Sequence, residues 1–282
     1  MPELLYEKND AEHYATFTMN RPDRLNAMGG SMNEELQIAL HDFNNDRNMW
    51  VGIVTGNGRA FSAGADLREM SDRNTRTAEV NEAYDKGEID AEERARRLFQ
   101  ISGGGGVGPT GSLFQFARSP KPFIAAINGL AVGGGTERAI DCDIRIISTE
   151  AYMGLFEVKR GIMPGSGMHL MPRLVPVGEA MYIGLTADRI SPAECLRIGL
   201  VHEVVEPDQL LPRAVEIAKM IAENAPIAVQ GVKATAQFWR NLFIDEHYQF
   251  SGWVNRIVGG SEDSKEGPLA FAEKRAPNWQ NR

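Results

Sequence analysis

The chain has 282 residues, 43% hydrophobic and 24% charged, with a formal net charge of −8. That length supports a substantial core in one large domain or one domain with an appendage. No apolar run approaches the ~18 residues of a membrane helix, and the acidic balance argues against a nucleic-acid binder, which needs a local excess of Lys and Arg.

Short β-branched runs alternate with helical stretches, the pattern of an α/β layer architecture. In chain order, Tyr14 to Asn20 predicts a strand, Ser31 to Phe43 a helix with Leu36, Ile38, Leu40 and Phe43 among polar residues, and Trp50 to Gly56 a second strand. Ser71 to Ser112 is charged and helix-compatible through "AEERARRLFQ", then breaks into "SGGGGVGPTG". Its "GGGGVG", Gly103 to Gly108, spells G-x-G-x-x-G. A charged helical run precedes it, however, and Pro109 follows where a helix should open, so it reads as a mobile loop and not a dinucleotide site. Further strands are expected at Phe123 to Gly129, Ile144 to Ser148 and Val201 to Val205. Helices are expected at Val177 to Leu185, at Ser191 to Ile198 with Pro192 in the first turn, and at Leu210 to Glu223. From Pro226 onward the pattern is helical, without a strand. "GIVTGNGRAFSAGADL" and "IAAINGLAVGGGTERA" each run from a strand through a turn into small residues and a helix start, which hints at a repeated unit.

Cys142 and Cys195 are too few for a disulfide framework or a four-ligand metal site, and "MPELLYEKND" lacks the basic start and apolar block of a secretory signal. A cytoplasmic protein without a metal is the expectation.

The chemistry concentrates around two glycine-rich loops. "VGGGTE" (Val132 to Glu137) and "FSAGADL" (Phe61 to Leu67) each open a helix, where unpaired N–H groups suit an anion or a developing oxyanion. Glu137 follows the glycines with only Thr136 between, and Glu157 lies twenty residues on; a paired acid and base is what proton transfer beside a polarised carbonyl requires. Glu137 falls in a first helical turn, where the dipole favours the ionised form and a base. Glu157 is flanked by Leu155, Phe156 and Val158, a setting that favours the protonated form and an acid.

These residues resemble the enoyl-CoA hydratase/isomerase, or crotonase, superfamily along nearly the whole chain. The resemblance rests on "NRPDRLNAM", "GRAFSAGADLREM", "KPFIAAINGLAVGGGTE", "CDIRI", "FEVKRGIMPGSG", "ADRISPAECLRIGLVHEVV" and "KEGPLAFAEKRAPNW", in order and spacing. It implies a spiral of repeated ββα units over residues 1–206 and a helical region over 207–282 that serves oligomerisation and CoA contact, in a homotrimer or homohexamer. It also implies an acyl-CoA thioester as substrate, with coenzyme A entering only as part of it. The resemblance assigns the oxyanion donors to the backbone N–H groups of Ala65 and Gly134, water activation to Glu137 and α-carbon protonation to Glu157. Arg24 and Leu25 match the segment lying along CoA, Ala63 and Asp66 the adenine pocket, and Phe271 and Lys274 positions reaching the nucleotide from a neighbouring subunit. The implied activity is enoyl-CoA hydration; double-bond isomerisation, other enolate chemistry such as thioester hydrolysis, and non-catalytic acyl-CoA binding are the alternatives. Phe156 replaces a common proline, Arg138 follows the first glutamate, and "GSGMHLMPRL" departs from the usual "GAGGTQRL", all bordering the acyl pocket.

Other candidates read as structural. His169 sits among Met168, Leu170 and Met171 in an expected helix, and neither it nor His202 is expected to act as a base. "DCD", Asp141 to Asp143, has no accompanying Cys or His cluster, and the methionines from Met163 to Met171 read as core or pocket lining.

Overall fold

The computed structural model describes residues 1–101, 115–238 and 244–282. The "GGGGVG" segment therefore lies outside the described residues.

Among the described residues nine strands form two sheets. The larger has the order β1 (Leu4–Asn9), β2 (Tyr14–Met19), β3 (Val51–Gly56), β5 (Phe123–Ile127), β7 (Ile144–Ser148), β9 (Glu203–Val205); β1 and β2 are antiparallel and every other pairing is parallel. The smaller is parallel, in the order β4 (Ala60–Ser62), β6 (Leu130–Val132), β8 (Tyr152–Gly154). Helices are α1 (Met32–Asn45), α2 (Leu67–Asp85), α3 (Ala91–Ile101), α4 (Gln115–Arg118), α5 (Gly134–Ile140), α6 (Gly165–Leu174), α7 (Val177–Thr186), α8 (Pro192–Arg197), α9 (Leu210–Ala222), α10 (Pro226–Phe238), α11 (Ile244–Gly260) and α12 (Asp263–Glu273).

Three times the chain passes from the large sheet to the small sheet and into a helical turn: β3–β4–α2, β5–β6–α5, and β7–β8 followed by a 3₁₀ turn over Glu157–Arg160. This is the spiral of ββα units that the resemblance implies. The paired sequence segments are its first two turns; the third, "IRIISTEAYMGLFEVKR", has no glycine run to mark it.

Period-two alternation divides the large sheet's side chains between two cores. Val51, Ile53, Ile124, Ala126 and Ile146 face Leu210, Ala214 and Ala218, which line one stripe of α9 at four-residue spacing. Val54, Phe123, Ala125, Ile127 and Ile147 face the other way, into the core that includes α1 and the small sheet. α9, the first helix of residues 207–282, thus packs on the sheet itself, and α10–α12 follow it as helices, as expected.

Some boundaries differ from the sequence reading. The strand expected over Phe123–Gly129 ends at Ile127, because Gly129 turns the chain into β6. The one expected from Val201 begins at Glu203, after the His202 N–H donates to the Arg145 carbonyl. Ser191 caps α8, its hydroxyl accepting the Glu194 N–H at 3.2 Å, with Pro192 in the first turn. Met163 is 74% exposed and so not core, although Met171 is fully buried.

Candidate active site

Each of the three units delivers one piece of the site just after its short strand. In the first, the loop after β4 is laid against the segment Leu25–Met28. The Ala63 N–H donates to the Leu25 carbonyl (2.9 Å), the Met28 N–H to Gly64 (2.7 Å) and the Asp66 N–H to Met28 (3.1 Å). Asn26, fully buried, fastens this turn by donating to the Asn57 and Ala60 carbonyls. That pattern uses the groups on either side of Ala65 and leaves the Ala65 N–H without an acceptor among the described residues. Gly64 is required there. Its φ is +84°, and a Cβ would lie 2.7 Å from the Val132 carbonyl oxygen and 2.8 Å from the Gly134 nitrogen.

In the second unit, Gly134 is the first residue of α5, so its N–H has no partner within the helix. A Cβ placed on Gly134 would lie 3.6 Å from the Ala65 nitrogen. The two unused donors, from separate loops, therefore stand side by side. Glu137 occupies the first turn of α5, is 6% exposed, and takes the Gly167 N–H from the start of α6 on Oε1 at 2.7 Å.

In the third unit, Glu157 starts the 3₁₀ turn, half-buried, and its carboxyl lies against Gly133: a Cβ there would come within 3.3 Å of Oε1, and φ at Gly133 is +55°. Oε2 is buried without a partner among the described residues. Burial pushes Glu157 up to about 7, and the neighbouring Glu137 charge adds to the shift. Two carboxylates thus flank two N–H donors, one carboxylate fixed by a backbone hydrogen bond and the other holding its proton near neutrality.

The structure brings Glu137, Glu157, Ala65 and Gly134 together, with Leu25 and Ala63 on the adjoining loops and Arg24 exposed at the end of a 3₁₀ turn. Asp66 is 8% exposed and engaged elsewhere: it caps α2 through the Arg68 and Glu69 N–H groups and pairs with Arg21 at 3.3 Å. Phe271, 87% exposed, and Lys274, the C-cap of α12, stand on the C-terminal surface. Sequence reasoning missed Gly64, Gly133 and Gly167, whose signal was the glycine runs themselves, and Thr136. The Thr136 hydroxyl lies 2.6 Å from the Ala131 carbonyl and 2.9 Å from that of Gly154, and accepts the Gly154 N–H at 3.1 Å, so it ties the second unit to the third.

The other candidates are structural. His169 is exposed on α6, and the His202 ring accepts the Arg145 N–H. Asp141 accepts the Phe116 N–H, and Asp143 accepts the Phe123 N–H and pairs with Lys233. Both cysteines are free and buried. Among the described residues no helix is long and apolar enough to cross a membrane.

The family model for enoyl-CoA hydratase/isomerase matches residues 10–93 and 111–282. The chain belongs to this family. A short-chain-enoyl-CoA hydratase of Clostridium acetobutylicum is 38% identical over 93% of the chain and 92% of its own length. A crotonyl-CoA hydratase of Syntrophomonas wolfei is 35% identical over 98% of the chain and 97% of its own. Among solved structures, an enoyl-CoA hydratase from Bacillus anthracis superposes with a TM-score of 0.82 at 33% identity, each chain fully covered.

Proposed function

We propose that this member of the family is an enoyl-CoA hydratase that adds water reversibly to a 2-enoyl-CoA thioester, with the two flanking carboxylates as base and acid. The observation that carries this reading is the pair of unused N–H groups, Ala65 and Gly134, with Glu137 and Glu157 on either side. The thioester carbonyl oxygen accepts both N–H groups, which stabilise the negative charge that develops on it. Glu137 takes a proton from water as the water oxygen bonds to the β-carbon. The π electrons of the double bond move to form the enolate, and Glu157, protonated below about 7, gives its proton to the α-carbon.

Coenzyme A is part of the substrate, and the reading calls for no further cofactor. Arg24, Leu25, Ala63 and Asp66 are the proposed contacts along CoA; Asp66 acts there by holding the start of α2, since its side chain is already engaged. Phe271 and Lys274 serve a neighbouring subunit of a homotrimer or homohexamer in the cytoplasm. Exposed Tyr248, Trp253 and Ile257 on α11 support such an assembly.

The test is turnover of crotonyl-CoA by the purified protein, followed as loss of the enoyl-thioester absorbance, with the product identified. Appearance of 3-hydroxybutyryl-CoA is expected. Migration of a double bond without uptake of water would replace hydration by isomerisation, and tight binding without turnover would make the protein an acyl-CoA binder.

A further inference from the structure

Six buried side-chain polar atoms lack a partner among the described residues, and four of them surround one small cavity: Nε2 and Oε1 of Gln115, Nη1 of Arg138 and Oδ1 of Asp141. Phe116, Glu137, Gly134 and Met28 complete its wall. Buried polar atoms are nearly always paired, so such a concentration marks a place where something else is to be held. The volume is about 10 Å³, room for one oxygen-sized group.

Charge narrows the choice. Arg138 is 7% exposed and makes no ion pair among the described residues. Its Nε meets the Met28 sulfur at 3.1 Å and its Nη2 donates to Asn33 at 3.1 Å, while Phe116 lies beneath the guanidinium. Burial lowers it only to about 10, so it is charged at neutral pH. Burial pushes its neighbour Asp141 up to about 7, so Asp141 is an incomplete counter-ion. A buried guanidinium with one nitrogen left without an acceptor is costly, and its planar fork suits a carboxylate oxygen.

We propose that the Arg138–Gln115 cavity is a subsite of the acyl pocket that receives one oxygen of a carboxylate borne by the substrate's acyl group. The inference rests on the hydratase reading and specifies its substrate class: a short 2-enoyl-CoA whose acyl chain ends in a carboxylate. The chain is short because the cavity shares its wall with Glu137, which works at the β-carbon. Met28, whose methyl abuts Gly134 in the cavity wall, is the flexible side chain that yields to the incoming group.

The test compares two acyl-CoAs of matched shape, 4-carboxybut-2-enoyl-CoA and 5-methylhex-2-enoyl-CoA, in wild-type protein, Arg138→Gln and Arg138→Lys, each checked for folding by thermal melting. Wild type should favour the carboxylate in kcat/KM by about 10- to 150-fold, the range for a hydrogen bond to a charged group. Arg138→Gln should abolish that ratio and Arg138→Lys restore part of it. Calorimetric binding of the saturated pair, glutaryl-CoA and 5-methylhexanoyl-CoA, should show the same preference. This arm stands even if hydration fails, so the two readings fail separately. Equal handling of both acyl groups by wild type, or a ratio untouched by Arg138→Gln, would overturn the proposal and leave the cavity to a bound water.

Discussion

The second and third ββα units are built from the same parts in the same order, yet they present their glutamates differently. β5 and β6 lead into a seven-residue α-helix, and Glu137 in its first turn is almost wholly buried and held by the Gly167 N–H. β7 and β8 lead into a four-residue 3₁₀ turn, and Glu157 at its start is half-buried with one oxygen unpartnered. Burial pushes Glu157 up to about 7, and the neighbouring Glu137 charge adds to the shift. On the proposed mechanism, one unit used twice with a change of helix type supplies a base and an acid within reach of the same two N–H groups.

Removing either carboxylate breaks this comparison most severely. Glu137→Gln and Glu157→Gln are each expected to lower kcat for crotonyl-CoA hydration by about 10²- to 10⁴-fold. The two variants should differ in pH dependence. Hydration needs Glu157 protonated, so wild-type kcat/KM should fall as pH rises through about 7, and Glu157→Gln should lack that limb. If each variant kept full activity, the two-carboxylate mechanism would be wrong.

Gly64→Ala tests the first unit against the second. The new Cβ would press on the Val132 oxygen and the Gly134 nitrogen, in a backbone conformation that already disfavours alanine. The expected results are a stability loss of about 1–3 kcal/mol and a fall in kcat of about 10²- to 10³-fold, the cost of losing one oxyanion donor. A lower melting temperature with normal kcat would show that the two N–H groups do not act as a pair.

What the sequence made legible followed from length and repetition. β3, β5 and β7 stand out as runs of five or six residues rich in β-branched or apolar side chains, and the glycine loops and Glu137 stand out beside them. β4, β6 and β8 do not, because three residues are too few to display a period of two. Without them the second sheet, and so the spatial meeting of Ala65, Gly134 and Glu157, rests on the family resemblance alone. α2 is hard to anticipate for the opposite reason: over 19 residues it buries only Val80, so no apolar stripe announces it. The orphaned Arg138 nitrogen is invisible to spacing rules, since it depends on which partners other elements fail to bring.

The raised proton affinity of Glu157 also sets a smaller effect on stability. The folded state holds this proton up to about 7 against an ordinary value of 4.5. The contribution is therefore fully present below 4.5 and is lost as pH rises through about 7. Glu157→Gln should melt above wild type at alkaline pH, and the gap should close toward pH 4.5. A gap independent of pH would mean that Glu157 is solvated in the folded protein.

Thr136→Val sharpens the comparison with the smallest change, because it removes one side-chain tie between the second and third units without touching either glutamate. The isosteric methyl fills the space but leaves the Gly154 N–H without its acceptor, while the Gly133 N–H still reaches the Gly154 carbonyl at 2.8 Å. A buried donor left unmade costs about 1–3 kcal/mol, and each kcal/mol lowers the melting temperature of a chain this size by roughly 2–4 °C. Because the β5–β7 and β6–β8 pairings survive along with the Gly133–Gly154 bond, kcat should fall only several-fold, with KM for crotonyl-CoA little altered. Thr136→Ser, which keeps the hydroxyl and loses the methyl, should recover most of the kcat. If valine and serine gave the same kcat, the hydroxyl would have no part in setting Glu137 against Glu157, and the spacing of the two carboxylates would be fixed by the sheets alone.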